Sequence, residues 1–152
     1  MKILIASDGS PSSDAAIAEV GRRPWPKGSE IKVLSAFELP MPPVNQSWAI
    51  PQEYFEEMDL AARQNAQTIV EHAAENLKSQ LGDDVVVRSE FASGPPESVI
   101  LNEANRWGAD LIVLGSHGYN SWQRFLLGSI SQAVVSHAKC SVEVVRNSES
   151  KN

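Results

Sequence analysis

Gly115, Gly118, Gly128 and Ser129 carry the spacing G-x2-G-x9-G-S within the stretch GSHGYNSWQRFLLGS, and the apolar run LIVL leads directly into it. Glycines lack a Cβ, so a ligand can press against the backbone there. Gly128-Ser129 stands where a helical pattern starts. The first N–H groups of a helix are unpaired, and they and the helix dipole favour an anion. The hydroxyls of Ser129 and Ser131 add hydrogen bonds suited to phosphate oxygens. On spacing alone, two readings stand level: a phosphate cradle, and a glycine-rich surface loop with Ser129 as helix cap. Valine at Gly118 or Gly128 is expected to exclude a nucleotide and leave the fold intact.

The stretch is neither of the common phosphate loops, because it has no G-K-[ST] and no G-x-G-x-x-G. No lysine or arginine finger for transfer of a terminal phosphoryl group is recognisable, so no residue is assigned a catalytic role. Arg124 is the one cation inside the loop, placed either to reach a phosphate or to solvate the loop. Asp8 ends the first apolar run. It either accepts hydrogen bonds from an adenine amino group or a ribose hydroxyl, or it makes the turn of an Asp-Gly pair. His72, His117 and His137 share no metal-ligand spacing. Only His117, in the loop, has a plausible ligand role. Cys140 is the single cysteine, which excludes an internal disulfide and reads as a small buried hydrophobe.

These residues need elements to hold them. KILIAS (2–7) reads as a strand buried on both faces. A helix follows, with Ser10 as cap, Pro11 at its first position, Asp14 in its first turn, and Ala15, Ile17, Ala18 and Val20 as its apolar side. Gly21 offers its stop. The second strand runs over 30–39 and leads into a proline-rich loop. A helix over 52–81 has a stripe of Phe55, Met58, Ala62, Ile69, Ala73 and Leu77. At 1.5 Å per residue it spans about 45 Å, longer than a strand, so one end is expected to overhang the sheet. The third strand (84–92), a helix from Pro95-Pro96 to Gly108, a fourth strand (109–115), a helix (129–139) and a last strand (140–146) complete the chain. Strict alternation of this kind implies an α/β fold with an open parallel sheet and helices on both faces. Ligands of such sheets lie outside the carboxyl ends of the strands, where the strand order reverses. Loops with suitable chemistry leave the first strand (Ser7 to Ser10), the second (Ser35 to Phe37) and the fourth.

Composition narrows the class further. The 152 residues fit one domain, expected over 1–147 with a polar tail over 148–152. A formal net charge of −6 argues against nucleic-acid and membrane-surface partners, which require clustered positive charge. The pair Arg22-Arg23 reads as a solvated turn. The lone cysteine and the short N-terminal apolar run point to a cytoplasmic protein.

The segments ILIASDGSPSSDAAI and ADLIVLGSHGYNSWQRFLLGSISQAVVSHAKCSVEVVR together resemble the universal stress protein family, and G-x2-G-x9-G-[ST] resembles the pattern of its ATP-binding branch. The resemblance implies a Rossmann-like five-stranded sheet in the order 3-2-1-4-5, with an adenine nucleotide between strands 1 and 4. It implies that Ser7, Asp8 and Ala36 meet the adenine end. Leu114, Gly115 and Gly118 would pack along ribose and phosphates, and Gly128, Ser129, Ile130 and Ser131 would hold the phosphate chain. The implied ligand is ATP, with ADP or AMP as alternatives and magnesium bound through the phosphates. A homodimer through the last strand is also implied, where Val142, Val144 and Val145 give an apolar edge. Tyr119, Trp122, Ser141 and Glu143 depart from the family's common pattern, and the Glu143 charge bears on the dimer geometry.

Three functions remain open at this point. One is a stress-response or signalling protein that binds ATP as a conformational ligand, with at most slow hydrolysis. A second is an ATPase or nucleotide-transferring enzyme, with Asp8, Ser129 and His117 to suspect. A third is a nucleotide-free dimeric module.

Overall fold

The computed structural model describes residues 1–39, 51–117 and 127–147. Five parallel strands, β1 (Lys2–Ala6), β2 (Glu30–Phe37), β3 (Val86–Ser93), β4 (Leu111–Gly115) and β5 (Ser141–Val145), form one sheet in the order β3-β2-β1-β4-β5. Four helices, α1 (Pro11–Gly21), α2 (Gln52–Leu81), α3 (Pro96–Trp107) and α4 (Ser129–His137), alternate with them. The expected fold class and strand order are both observed.

Period-two alternation sorts the strand side chains onto two cores. Ile3, Ile5, Ile31, Val33 and Val113 pack under α1 and α2, against Ile17, Val20, Val70 and Leu77. Leu4, Leu34, Ile112 and Leu114 pack under α3 and α4, against Ile100, Ala104 and Val134. β1 is central, paired with β2 on one side and β4 on the other, which is why its run is apolar throughout.

Helix α1 starts as expected, with Ser10 Oγ accepting from Ser13 N–H at 3.3 Å and Pro11 in the first turn. Its buried face differs from the expected one. Ala16, Ile17 and Val20 are buried, Ala15 is half-buried and Ala18 is exposed. Gly21 lies inside the helix and Arg22 is its cap. In α2 the fully buried side chains are Ala66, Val70, Ala73, Ala74 and Leu77, none of them before the middle of the helix. The expected stripe is therefore right at Ala73 and Leu77, while Phe55, Met58, Ala62 and Ile69 are only half-buried. The turns before Ala66 bury no residue fully.

The sequence reading missed a polar group in the sheet. Lys32 of β2 is 7% exposed and Glu103 of α3 is 6% exposed. Lys32 Nζ donates to Glu103 at 2.5 Å and to Glu90 of β3 at 2.9 Å, and it lies 4.8 Å from the Trp107 ring centroid. Arg106 binds the outer oxygens of Glu103 and Glu90. Arg23, read as part of a solvated turn, makes a two-pronged bond to Glu143 of β5, with both contacts at 2.6 Å, and also holds Glu19. The Glu143 charge is thus paired within its own chain.

Candidate functional site

The carboxyl ends of β1, β2 and β4 open onto one cleft. Ala6, Ser7, Asp8, Leu34, Ala36, Leu114, Gly115 and His117 line it from the strand ends, Pro96 and Ile100 from α3, and Ile130 and Ser131 from α4. Of the residues singled out in the sequence, Ser7, Asp8, Ala36, Leu114, Gly115, Ile130 and Ser131 come together here. Gly128 and exposed Ser129 stand at the start of α4, beside this group. Gly118, with Tyr119, Trp122 and Arg124, lies outside the described residues.

Each element contributes differently. After Ser7 the chain turns: Asp8 Oδ1 accepts from Ser10 N–H at 3.0 Å, and Ser7 Oγ accepts from Gly9 N–H at 3.3 Å. Asp8 therefore holds the turn with one oxygen and still borders the cleft with its exposed carboxylate. The turn reading of Asp8 is the one observed. Ala36 contributes backbone. Leu34 faces β1, since its carbonyl accepts from Ser7 N–H at 2.9 Å, and alternate residues of a strand face the same neighbour. Ala36, two residues on, turns its N–H and C=O the same way, past the point where the chain leaves β1. Among the described residues no bond from outside the strands reaches either group, so a donor and an acceptor stand side by side at an otherwise apolar wall.

Two sequence assignments change. The N-cap of α4 is Gly128, not Ser129, because Ser129 already has helical backbone and no side chain caps the helix. Gly128 N–H donates to Ser116 O at 2.8 Å, and its carbonyl accepts from Gln132 N–H at 2.9 Å. The Ser131 hydroxyl donates to Gly115 O at 2.8 Å, so its proton is already committed and only its lone pairs remain. The glycines also have a reason of their own. A Cβ on Gly115 would lie 2.6 Å from the Ser12 carbonyl carbon and oxygen, and one on Gly128 would lie 3.1 Å from Ser116 O. The Gly115 position is filled by the protein's own backbone, and the Gly128 position is tight against it. Gly128→Val therefore leaves the fold intact only if the Ser116 carbonyl gives way by a few tenths of an ångström.

His117 Nδ1 lies 2.9 Å from Ser116 Oγ, and Nε2 is shielded from solvent without a hydrogen-bond partner among the described residues. His137 Nδ1 is engaged by Ala133 O at 2.8 Å, and His72 is exposed on α2. Among the described residues no group of three His, Cys, Asp or Glu could hold a metal ion. Burial pushes the Cys140 thiol up, which keeps it protonated and unreactive.

A doubly wound parallel sheet with its cleft at the crossover between β1 and β4 defines the class: an α/β protein built to receive a ligand at its strand ends. The pattern of the Universal stress protein family matches residues 1–146. This chain belongs to the universal stress protein family. A curated relative in Staphylococcus haemolyticus, bearing that family's designation, is 29% identical over 151 residues, covering 97% of this chain and 85% of the relative. Another, in Staphylococcus aureus, is 46% identical over 67 residues, 43% of this chain and 39% of the relative. Among solved structures, the universal stress protein UspA of Lactobacillus plantarum superposes with a TM-score of 0.76 at 24% identity, covering 96% of this chain and 97% of that one. A family protein of Arabidopsis thaliana with AMP bound gives 0.71 at 19% identity, over 100% and 95% of the two chains. A universal stress protein in complex with cAMP gives 0.62 at 21% identity, over 95% of each. No helix among the described residues is long and apolar enough to cross a membrane.

Proposed function

We propose that this protein binds an adenine nucleotide, ATP in the first place, in the cleft between β1 and β4, and that the nucleotide acts as a conformational ligand in a cytoplasmic stress response. The observation that carries this reading is the pairing of two recognition ends in one cleft. At one end, Ala36 offers a backbone N–H and C=O amid Leu34, Ile100 and Leu114. An adenine edge, with a ring-nitrogen acceptor beside an amino donor, complements that pair. The guanine edge presents the opposite order and leaves both groups unpaired. At the other end, no described residue accepts from the N–H groups of Ser129, Ile130 and Ser131 in the first turn of α4. Such a turn suits phosphate oxygens.

The residues thus fit the nucleotide, which would supply the charge that the α4 end favours. Ser7, Asp8 and Ala36 would hold the base and sugar, with Leu114 and Gly115 alongside. Gly128, Ser129, Ile130 and Ser131 would hold the phosphates, and magnesium would bind through those phosphates. AMP and cAMP in two family neighbours of the same fold agree with this choice of ligand class. The active assembly in this reading is a homodimer joined through β5.

Titration calorimetry on protein stripped of nucleotide provides the test. ATP, ADP or AMP, with and without magnesium, is expected to give saturable heat, with GTP at least tenfold weaker. Absence of heat with all three adenine nucleotides overturns the reading.

A further inference from the structure

We propose that Lys32 and Glu103 are a positioning pair for the base: the length of their bond sets how closely α3 approaches β2, and so the width of the slot in which an adenine is held. The inference rests on the nucleotide reading above and adds two residues that do not themselves line the cleft.

The first step is the register of two rows. Lys32, Leu34 and Ala36 share one face of β2, because strand side chains alternate. Pro96, Ile100 and Glu103 share one face of α3, at i, i+4 and i+7. Leu34, Ala36, Pro96 and Ile100 line the cleft at its adenine end. Lys32 and Glu103 are the next rung of the same two rows, both buried, and their bond is 2.5 Å long. The base slot and the ion pair are thus neighbouring rungs of one contact between β2 and α3.

The second step is what holds α3 in place. Its polar ties to the sheet leave from its last turns. Glu103 accepts from Lys32, Arg106 Nη2 donates to Glu90 at 3.0 Å, and the Trp107 carbonyl accepts from Lys2 Nζ at 3.1 Å. Among the described residues no side-chain hydrogen bond or ion pair joins 96–102 to the sheet. The cleft end of α3 therefore rests on apolar packing, with Ile100 in one cluster with Leu34 and Leu114. Apolar packing is non-directional and lets a helix tilt. A buried hydrogen bond fixes a distance. Of these ties, Glu103–Lys32 is the one nearest the cleft and the one buried at both ends.

The third step is why the pair is ionic. An apolar pair of the same volume would stabilise such a site as well or better. It would not supply a defined spacing of two elements beside a slot that must fit a flat ring.

The test separates length from charge. Glu103→Gln keeps the length and an acceptor for Lys32. Glu103→Asp keeps the charge and is one methylene shorter. Lys32→Met combined with Glu103→Leu removes the bond and keeps the bulk. Each is titrated with ATP and, by displacement of ATP, with adenosine, and urea midpoints are measured alongside. Glu103→Gln is expected to bind both ligands as wild type does. Glu103→Asp and the double variant are expected to lose about tenfold in affinity, equally for ATP and adenosine, because the misfit is at the base. The double variant is expected to unfold at a urea midpoint no lower than that of wild type, so that its weaker binding is not a loss of fold. Wild-type adenosine affinity in folded Glu103→Asp, a loss in Glu103→Gln as large as in Glu103→Asp, or a loss for ATP alone would each overturn the inference while the nucleotide reading stands. Failure of wild type to bind ATP, ADP or AMP would remove both.

Discussion

Gly115 shows how one residue type answers two demands. The sequence suggests that its missing side chain makes room for a ligand. In the fold that room is taken by the Ser12 backbone, 2.6 Å from where a Cβ would be, where α1 crosses the end of β4. Gly115→Ala is therefore expected to destabilise the protein by about 2 kcal/mol or more through overpacking. A lowered urea midpoint with an unchanged slope would show this, while an unchanged midpoint would mean that α1 shifts freely. Asp8 is the complementary case. Its sequence context left turn and ligand contact equal, and the structure gives it the turn, with the residue still lining the cleft. Asp8→Asn keeps an oxygen for Ser10 N–H and removes the charge. It is expected to change nucleotide affinity in calorimetry with little change in melting temperature. A fall in melting temperature as large as that of Asp8→Ala would assign Asp8 to the turn alone.

At the level of elements, the Lys32 cluster ties β2, β3 and α3 together beneath the cleft wall formed by Ile100. Burial alone would lower the Lys32 pKa. The hydrogen bonds and charges of Glu103 and Glu90 outweigh that, and the net shift is upward from 10.5. Folded Lys32 therefore holds its proton more tightly than unfolded Lys32. Its contribution to stability is present in full below pH 10.5 and is lost as the pH rises through the raised folded value. Denaturant titrations of wild type and Lys32→Met from about pH 8 to about pH 12 should show wild type losing stability more steeply at the alkaline end. Parallel pH profiles would refute this. Glu103→Ala leaves the buried ammonium with Glu90 alone and is expected to cost about 3 kcal/mol. None of this was visible in EIKVLSAF, because a lysine in an alternating strand normally marks the solvent side. The acidic partners come from elements far along the chain.

For the whole molecule, β5 is one of the sheet's two edges, and no described strand pairs with its outer side. The Val145 carbonyl accepts from Ser116 N–H at 2.8 Å, so Val145 and Glu143 turn their backbone toward β4. Val142 and Val144 therefore turn theirs outward. Val144→Pro removes one outward N–H and leaves the β4–β5 ladder whole, a substitution an edge strand accepts. If two copies join through β5, sedimentation of Val144→Pro should give a folded monomer where wild type gives a dimer. An unshifted species would place the interface elsewhere.

Much of this was written in the order of residues. Alternation of apolar strands with helical stripes determined the parallel sheet. Ser10-Pro11 and Gly108 marked helix ends, and G-x2-G-x9-G-S marked the region where β4 meets α4. These signals are local, and one chain segment carries each of them. The tertiary structure decided what depends on distance across the fold. It set which face of α1 is buried, the pairing of Arg23 with Glu143, and the burial of Lys32. It set the occupation of the Gly115 position by the Ser12 backbone. Packing brings such partners together only after the sheet has closed. No spacing along the chain encodes which group an atom will meet there.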